Sequence, residues 1–190
     1  MPEQKIQDKQ KAILEAAVAI FSERGFWNTP TSLISKTAGI ADGTLFNYFE
    51  TKDDLINEVY LYLKQAVAVI VLGGLSTHKT NKDKIRHIWN RYIEWGVNHP
   101  NEFKVLYQIS DSYQLSDKVK AQTDALFLEI ASIGAESILI GEMRDYPVEF
   151  LAAFLNNHAV MTIQYITANK ATQIDYQAIA FEMFWNGITY

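Results

Sequence analysis

Cysteine is absent from this chain, which removes disulfides and thiolate-ligated metal centres from consideration and fits a reducing compartment. Proline is scarce, at four in 190 residues, and no proline-rich or low-complexity tract interrupts the sequence. Long hydrophobic runs are missing too. The longest unbroken apolar stretch, residues 66–72, falls far short of the roughly 20 residues a membrane span needs. The first eleven residues are polar and charged, unlike a secretion signal, so a soluble, cytoplasmic protein with no membrane partner is expected. An excess of positive charge is the last thing lacking. The formal balance is −5, and the first sixty residues hold six basic against nine acidic side chains. Nucleic-acid binders usually carry a basic footprint, so composition speaks against such a partner, and any case for one must rest on motif. What the chain does have is apolar material, 48% of its residues, enough to bury a substantial core.

No stretch alternates polar and apolar residues strictly enough to suggest a sheet, and the periodicity predicts an all-α protein. A first helix is expected over residues 8–24, where Ile13, Ala17, Ile20 and Phe21 make one apolar stripe. Gly25 ends it, with Phe26 folding back on the last turn. A second, short helix starts in Thr29-Pro30-Thr31, Thr29 capping free backbone N–H groups, and ends at Ala38-Gly39. A third follows Ile40. A fourth opens at Thr51, with Asp53 and Asp54 favourable to its dipole, and runs to Leu72 before Gly73-Gly74, spanning about 30 Å. Beyond a linker at 76–81, helices are expected over 82–98, 101–110, 116–140, 148–168 and 173–190, with a turn at 141–147. There is no internal repeat.

The run Ala38-Gly39-Ile40-Ala41-Asp42-Gly43-Thr44-Leu45-Phe46-Asn47-Tyr48-Phe49-Glu50-Thr51-Lys52-Asp53-Asp54-Leu55 resembles the DNA-binding signature of TetR-family transcriptional regulators (TetR/AcrR type). The resemblance covers about residues 9–60. It implies an N-terminal three-helix helix-turn-helix head over 1–50 and a C-terminal helical effector-binding and dimerisation domain over 51–190.

Each residue type has a physical role in such a head. Gly39 serves a sharp turn between packed helices. Ile34, Ala38, Ile40, Leu45 and Phe49 have the spacing to close a small core against the first helix. Gly43 lets the backbone approach the bases. Asp42, Thr44 and Asn47 are assigned to base edges, Asn being able to pair bidentately with adenine. Thr29, Thr31, Ser32, Tyr48 and Lys52 are assigned to phosphates, which set register rather than sequence preference. Three positions depart from the family pattern: Ser35 replaces a usual alanine, Phe46 a usual tyrosine, and Ala41 a frequent capping serine. With so few cations, affinity should lean on helix N-termini and on an N-terminal arm with Lys5, Lys9 and Lys11, giving a modest salt dependence.

The last two expected helices are apolar nearly all round, which asks for two partners. Leu151, Leu155, Val160 and Ile163 make one stripe and Phe150, Phe154, Met161 and Tyr165 another. Residues 173–190 carry Phe181, Phe184 and Trp185. One face suits the chain's own core and the other a symmetric copy, giving an intermolecular four-helix bundle; Phe150, Phe154, Phe181, Phe184 and Trp185 are the expected dimer contacts. A homodimer could set two recognition helices roughly 34–36 Å apart to read an inverted repeat in double-stranded DNA. Between head and bundle lies an aromatic middle. The resemblance implies a pocket there for a small, partly apolar effector, with Trp89, Tyr92, Trp95, Phe103, Tyr107, Phe127, His158 and Met161 as candidate lining, although aromatic residues at helical spacing also suit plain core. Asn156-Asn157-His158 could instead fix dimer register.

The histidines at 78, 87, 99 and 158 form no His-x-x-x-His pair, and no repeated Glu-x-x-His or phosphate-cradling glycine loop is present. No catalytic residue, metal or cofactor is expected, and a helical-bundle enzyme is a remote alternative. The nearer alternative is a DNA-binding protein of this fold controlled by a protein partner. The favoured reading is a ligand-released transcriptional repressor.

Overall fold

The computed structural model describes residues 2–171 and 173–190, with side chains from Ile6 onward. Ten helices and one 3₁₀ turn account for the described chain: α1 (Pro2–Arg24), α2 (Thr31–Thr37), α3 (Asp42–Phe46), α4 (Lys52–Leu72), the 3₁₀ turn Leu75–Thr77, α5 (Asn81–Asn98), α6 (Pro100–Ser112), α7 (Asp117–Leu126), α8 (Leu128–Leu139), α9 (Val148–Ala168) and α10 (Tyr176–Ile188). No strand forms among the described residues, and the fold is all-α.

Where punctuation is strong, elements fall where the sequence puts them. Gly25, at φ 76°, stops α1 by donating to the Phe21 carbonyl at 2.9 Å, a conformation open to a residue without Cβ. After α4 the closing bond comes from Gly73, which donates to the Val69 carbonyl at 3.1 Å, and Gly74 turns the chain at φ 80°. Four boundaries differ. The first helix starts at Pro2 rather than near residue 8, so the stretch expected to serve as an N-terminal arm is part of α1, which carries Lys9 and Lys11; the side chain of Lys5 lies outside the described residues. Pro30 occupies the cap position of α2, not its first turn. The helix expected over 116–140 breaks at Phe127, whose φ −113° and ψ 15° leave the helical region. The last helix begins at Tyr176, because the Asp175 carboxylate accepts from the Ala178 N–H at 3.0 Å and fixes the start there.

The chain divides into two compact units. The first takes the chain up to Gln65 together with His99–Thr123. Here α2 packs on α1, α3 on α2, and α6 along α1. Ile13, Ala17, Phe21, Ile34, Leu45 and Leu55 are fully buried, with Phe49 beside them. The second unit takes Ala66–Asn98 and Asp124–Tyr190. In it α5 packs against α8, α9 and α10, around Trp89, Ile93, Ile163 and Phe181. Helices α5 and α9 approach closely at Gly96, where an added Cβ would lie 2.6 Å from Ile163 Cδ1. The Arg86 guanidinium pairs with Glu182 and lies over the Phe181 ring, 4.3 Å from its centroid, tying α5 to α10. Glu182 is held below the usual carboxylate range mainly by that hydrogen bond. Residues 52–77 are long and apolar enough to cross a membrane, but Leu55, Ile56, Val59, Leu63 and Val67 point into protein, as core helices do.

Candidate nucleic-acid interface

The turn between α2 and α3 is built as the sequence predicts. Gly39 adopts φ 68°, and the N–H groups of Ala38 and Ile40 return to the carbonyls of Ile34 and Ser35 at 2.8 and 3.0 Å. Leu45 and Phe49 anchor α3 in the core. Their burial turns the opposite side outward: Asp42, Gly43, Phe46, Asn47 and Glu50 are all exposed. At 100° per residue these fall on one face, with Gly43 and Phe46 near its middle and Asp42 and Asn47 at its edges. No neighbouring atom would lie within 4 Å of a Cβ on Gly43, so a base edge can come close to the backbone there.

The sequence-assigned residues do not all reach this face. Asp42 and Asn47 do. Thr44 is half-buried, its backbone N–H starting the helix from the Ala41 carbonyl at 2.8 Å, and Tyr48 is half-buried on the flank. Ser32 is exposed and Thr31 half-buried at the start of α2. Thr29 is no helix cap: it is 1% exposed, and its hydroxyl donates to the Gly25 carbonyl at 2.7 Å, fastening the loop to the end of α1. A buried hydroxyl committed to a carbonyl cannot also reach phosphate. Lys52 donates to the Trp27 carbonyl at 3.0 Å, and partial burial lowers its pKa against the raising effect of Asp53. The family departures are absorbed quietly. Buried Ser35 donates to Thr31 at 3.2 Å, and Ala41 caps α3 without a side-chain bond.

Two residues on the head went unassigned in the sequence. Phe46, 47% exposed, stands in the middle of the α3 face, and Trp27, 61% exposed, stands before the 28–30 loop that leads into α2. Their signal was an aromatic side chain off the core periodicity. The remaining cations are few. Lys9, Lys11 and Lys36 are exposed, and Lys11 lies 3.7 Å from Glu15. Among the described residues no group of three histidine, aspartate or glutamate side chains could hold a metal.

The candidate effector residues divide. Phe103, buried, and Tyr107 stack at 6.4 Å on α6 in the first unit. In the second, Trp89 and Trp95 are buried, Trp89 donating to the Gln177 carbonyl at 3.0 Å. His158 bonds the Ala180 carbonyl at 3.0 Å, between the rings of Trp89 and Phe154. Tyr92 stacks on Trp95 at 5.9 Å, Phe127 is half-buried and Met161 is 48% exposed. The dimer candidates divide as well. Phe181, Phe184 and Trp185 are no more than 6% exposed within the second unit and so are core residues of the protomer, whereas Phe150 and Phe154 are exposed. With Met161, Tyr165, Ile179 and Met183 they make an outward apolar face on α9 and α10.

A short helix turned outward across a tight glycine turn from a supporting helix defines a helix-turn-helix DNA-binding head. Residues 13–59 match the model of the bacterial regulatory proteins of the tetR family. The whole chain is similar to a tetR family transcription regulator from Shewanella sp. PV-4, at 26% identity and a TM-score of 0.89, covering 96% of this chain and 98% of that one. It is similar in fold to FadR from Bacillus subtilis, solved in complex with stearoyl-CoA, at 21% identity and a TM-score of 0.72 over 94% of this chain and 98% of that one. In sequence it is 22% identical over 137 residues to the nucleoid occlusion factor SlmA of Actinobacillus pleuropneumoniae, covering 70% of this chain and 68% of SlmA. The head, residues 13–59, thus matches the DNA-binding region of the tetR family of bacterial regulatory proteins, and the fold of the chain is similar to that of tetR family transcription regulators.

Proposed function

We propose that the chain is a ligand-released repressor that binds an inverted-repeat operator as a homodimer in the cytoplasm. One observation carries the DNA reading: the outward face of α3, where Asp42, Gly43, Phe46 and Asn47 stand together, exposed and without a partner element. Asn47 pairs with a base edge, Gly43 admits close approach, and the flanking hydroxyls of Thr31, Ser32 and Tyr48 hold phosphate. Lys52 supports the head from within through Trp27. The exposed apolar face on α9 and α10 supports the dimer, since a patch of large side chains on a soluble protein is normally covered. The acyl-CoA bound by FadR supports a partly apolar effector.

Selection of bound duplexes from a random pool, followed by titration of the recovered operator, tests the reading. An inverted repeat with half-sites about one helical turn apart is expected, with release by long-chain acyl-CoA or another amphipathic molecule. Recovery of no preferred sequence would defeat it. The similarity to SlmA over 70% of the chain favours one second reading, a DNA-binding factor governed by a protein partner. An operator complex indifferent to every small molecule but altered by a cell-division or chromosome protein would establish it.

A further inference from the structure

The ring of Phe46 is set on the outside of α3 by the burial of its neighbours. Leu45 and Phe49 hold the other side of the turn in the core, and the N–H groups of Tyr48 and Phe49 return to the Leu45 carbonyl, both at 3.0 Å. Phe46 itself is 47% exposed. It follows Gly43 by three residues, so the two are neighbours on one helix face. No atom lies within 4 Å of where a Gly43 Cβ would stand, and the space beside the ring is open down to the backbone. The charge around it is of one sign: Asp42 and Glu50, both exposed, are the charged residues of the 42–50 stretch, and they disfavour a phosphate against the ring. A phenyl ring has no hydroxyl to offer a phosphate either. What it offers a duplex is apolar contact, and among the base-edge groups of the major groove the apolar one is the C5 methyl of thymine.

We propose that Phe46 is a specificity-determining residue that reads thymine: its ring packs against the C5 methyl group of one thymine in each half-site, and the methyl enters the space left open beside Gly43. The face then divides its chemistry. Asn47, at the edge, supplies hydrogen bonds to a base, and Phe46, near the middle, supplies an apolar surface. Cytosine is the base this arrangement rejects, because its C5 carries only hydrogen and its N4 amino group would be taken out of water against a ring that cannot accept its hydrogen bond. The exchange of a tyrosine for phenylalanine at this position therefore favours contact with a base over contact with a phosphate.

The inference rests on the DNA-binding reading, and the test separates the two. Operator is selected with the full-length wild type, and each thymine of one half-site is then replaced in turn by deoxyuridine, which keeps the pairing and the O4 acceptor and removes only the methyl group. At one thymine the wild type should lose affinity roughly fourfold, the worth of one methyl group buried from water. At that same position 5-methylcytosine should be bound better than cytosine by a similar factor. Phe46→Ala should bind the thymine operator more weakly than the wild type and lose nothing further with deoxyuridine, since the contact is already gone. Phe46→Leu should keep part of the discrimination. Both variants should melt within about 2 °C of the wild type, as replacements of an exposed side chain do. A half-site without thymine, a wild type indifferent to the methyl group at every thymine, or a Phe46→Ala variant that discriminates deoxyuridine as the wild type does would overturn the inference and leave the DNA reading standing. A wild type that selects no operator would overturn the DNA reading itself, and this inference with it.

Discussion

The two units handle apolar surface in opposite ways. Of the large hydrophobic side chains left exposed among the described residues, the first unit holds four: Ile6, Trp27, Phe46 and Tyr107. The second holds the rest, from Val69 through Leu139, Phe150, Phe154, Ile179 and Met183 to Tyr190. The first unit closes its core on itself and ties its polar groups into local bonds, such as Thr29 to Gly25 and the reciprocal pair in which the Thr51 N–H donates to Asp54 and the Asp54 N–H to the Thr51 hydroxyl, both at 3.0 Å. The second leaves a stripe along α9 and α10 open. A unit that meets DNA needs a polar, shaped surface; one that meets its own copy needs an apolar one. The division of surface mirrors the proposed division of labour.

The comparison breaks most visibly if burial is attacked. Phe21 and Phe181 are both fully buried, and Phe21→Ala or Phe181→Ala should each lower unfolding free energy by about 3–5 kcal/mol in urea titrations. Phe21→Ala should also abolish operator binding at temperatures where the second unit still holds its near-UV signal. Charging the outward face comes next. Phe150→Glu with Phe154→Glu should leave protomer stability within about 1 kcal/mol, yet sediment as monomer and bind operator roughly a hundredfold more weakly, as two linked half-sites are lost. Dimers surviving that double change would mean that copies meet elsewhere.

Smaller effects sharpen the contrast. Asn47→Ala should cost about 1–3 kcal/mol of operator binding, confined to one base position, with an unaltered melting curve. The smallest effect lies in alkaline solution. Burial first, then the neighbouring carboxylates of Asp53 and Asp54, pushes Tyr113 from 10.0 up to about 12. The folded protein therefore keeps the phenol protonated where the unfolded chain has lost its proton. Its contribution is whole below pH 10 and fades as pH rises from 10 through about 12. Urea midpoints of wild type and Tyr113→Phe should converge over that window, and a gap that stays constant would assign the difference to something other than the phenol.

Much of this was legible in the residues, and what was not has definite causes. The bounds of α9 at Val148 and Ala168 follow from the apolar period between Pro147 and the polar stretch at Asn169. Its stripes separate largely as written, Leu151, Val160 and Ile163 inward with Leu155 only half-buried, and Phe150, Phe154, Met161 and Tyr165 outward. In α10 the same reasoning assigned Phe181, Phe184 and Trp185 to a copy, because a helix apolar all round does not say which side its own core will claim. The break at Phe127 carries no glycine or proline to announce it. Thr29 suits a cap by residue type, but its hydroxyl meets the closer carbonyl of Gly25 first. The attachment of residues 99–123 to the head is long-range packing between stretches some fifty to eighty residues apart, which no local pattern encodes.

Gly96 shows how such packing constrains heredity. With Ile163 already 2.6 Å from where a methyl group would sit, even alanine is a wedge, and overpacking of this kind costs about 1–3 kcal/mol. The helix it would push is α9, whose far side carries Phe154 and Met161. A Gly96→Ala allele should therefore read as temperature-sensitive derepression, arising from a codon that touches neither DNA nor the face proposed to meet a second copy.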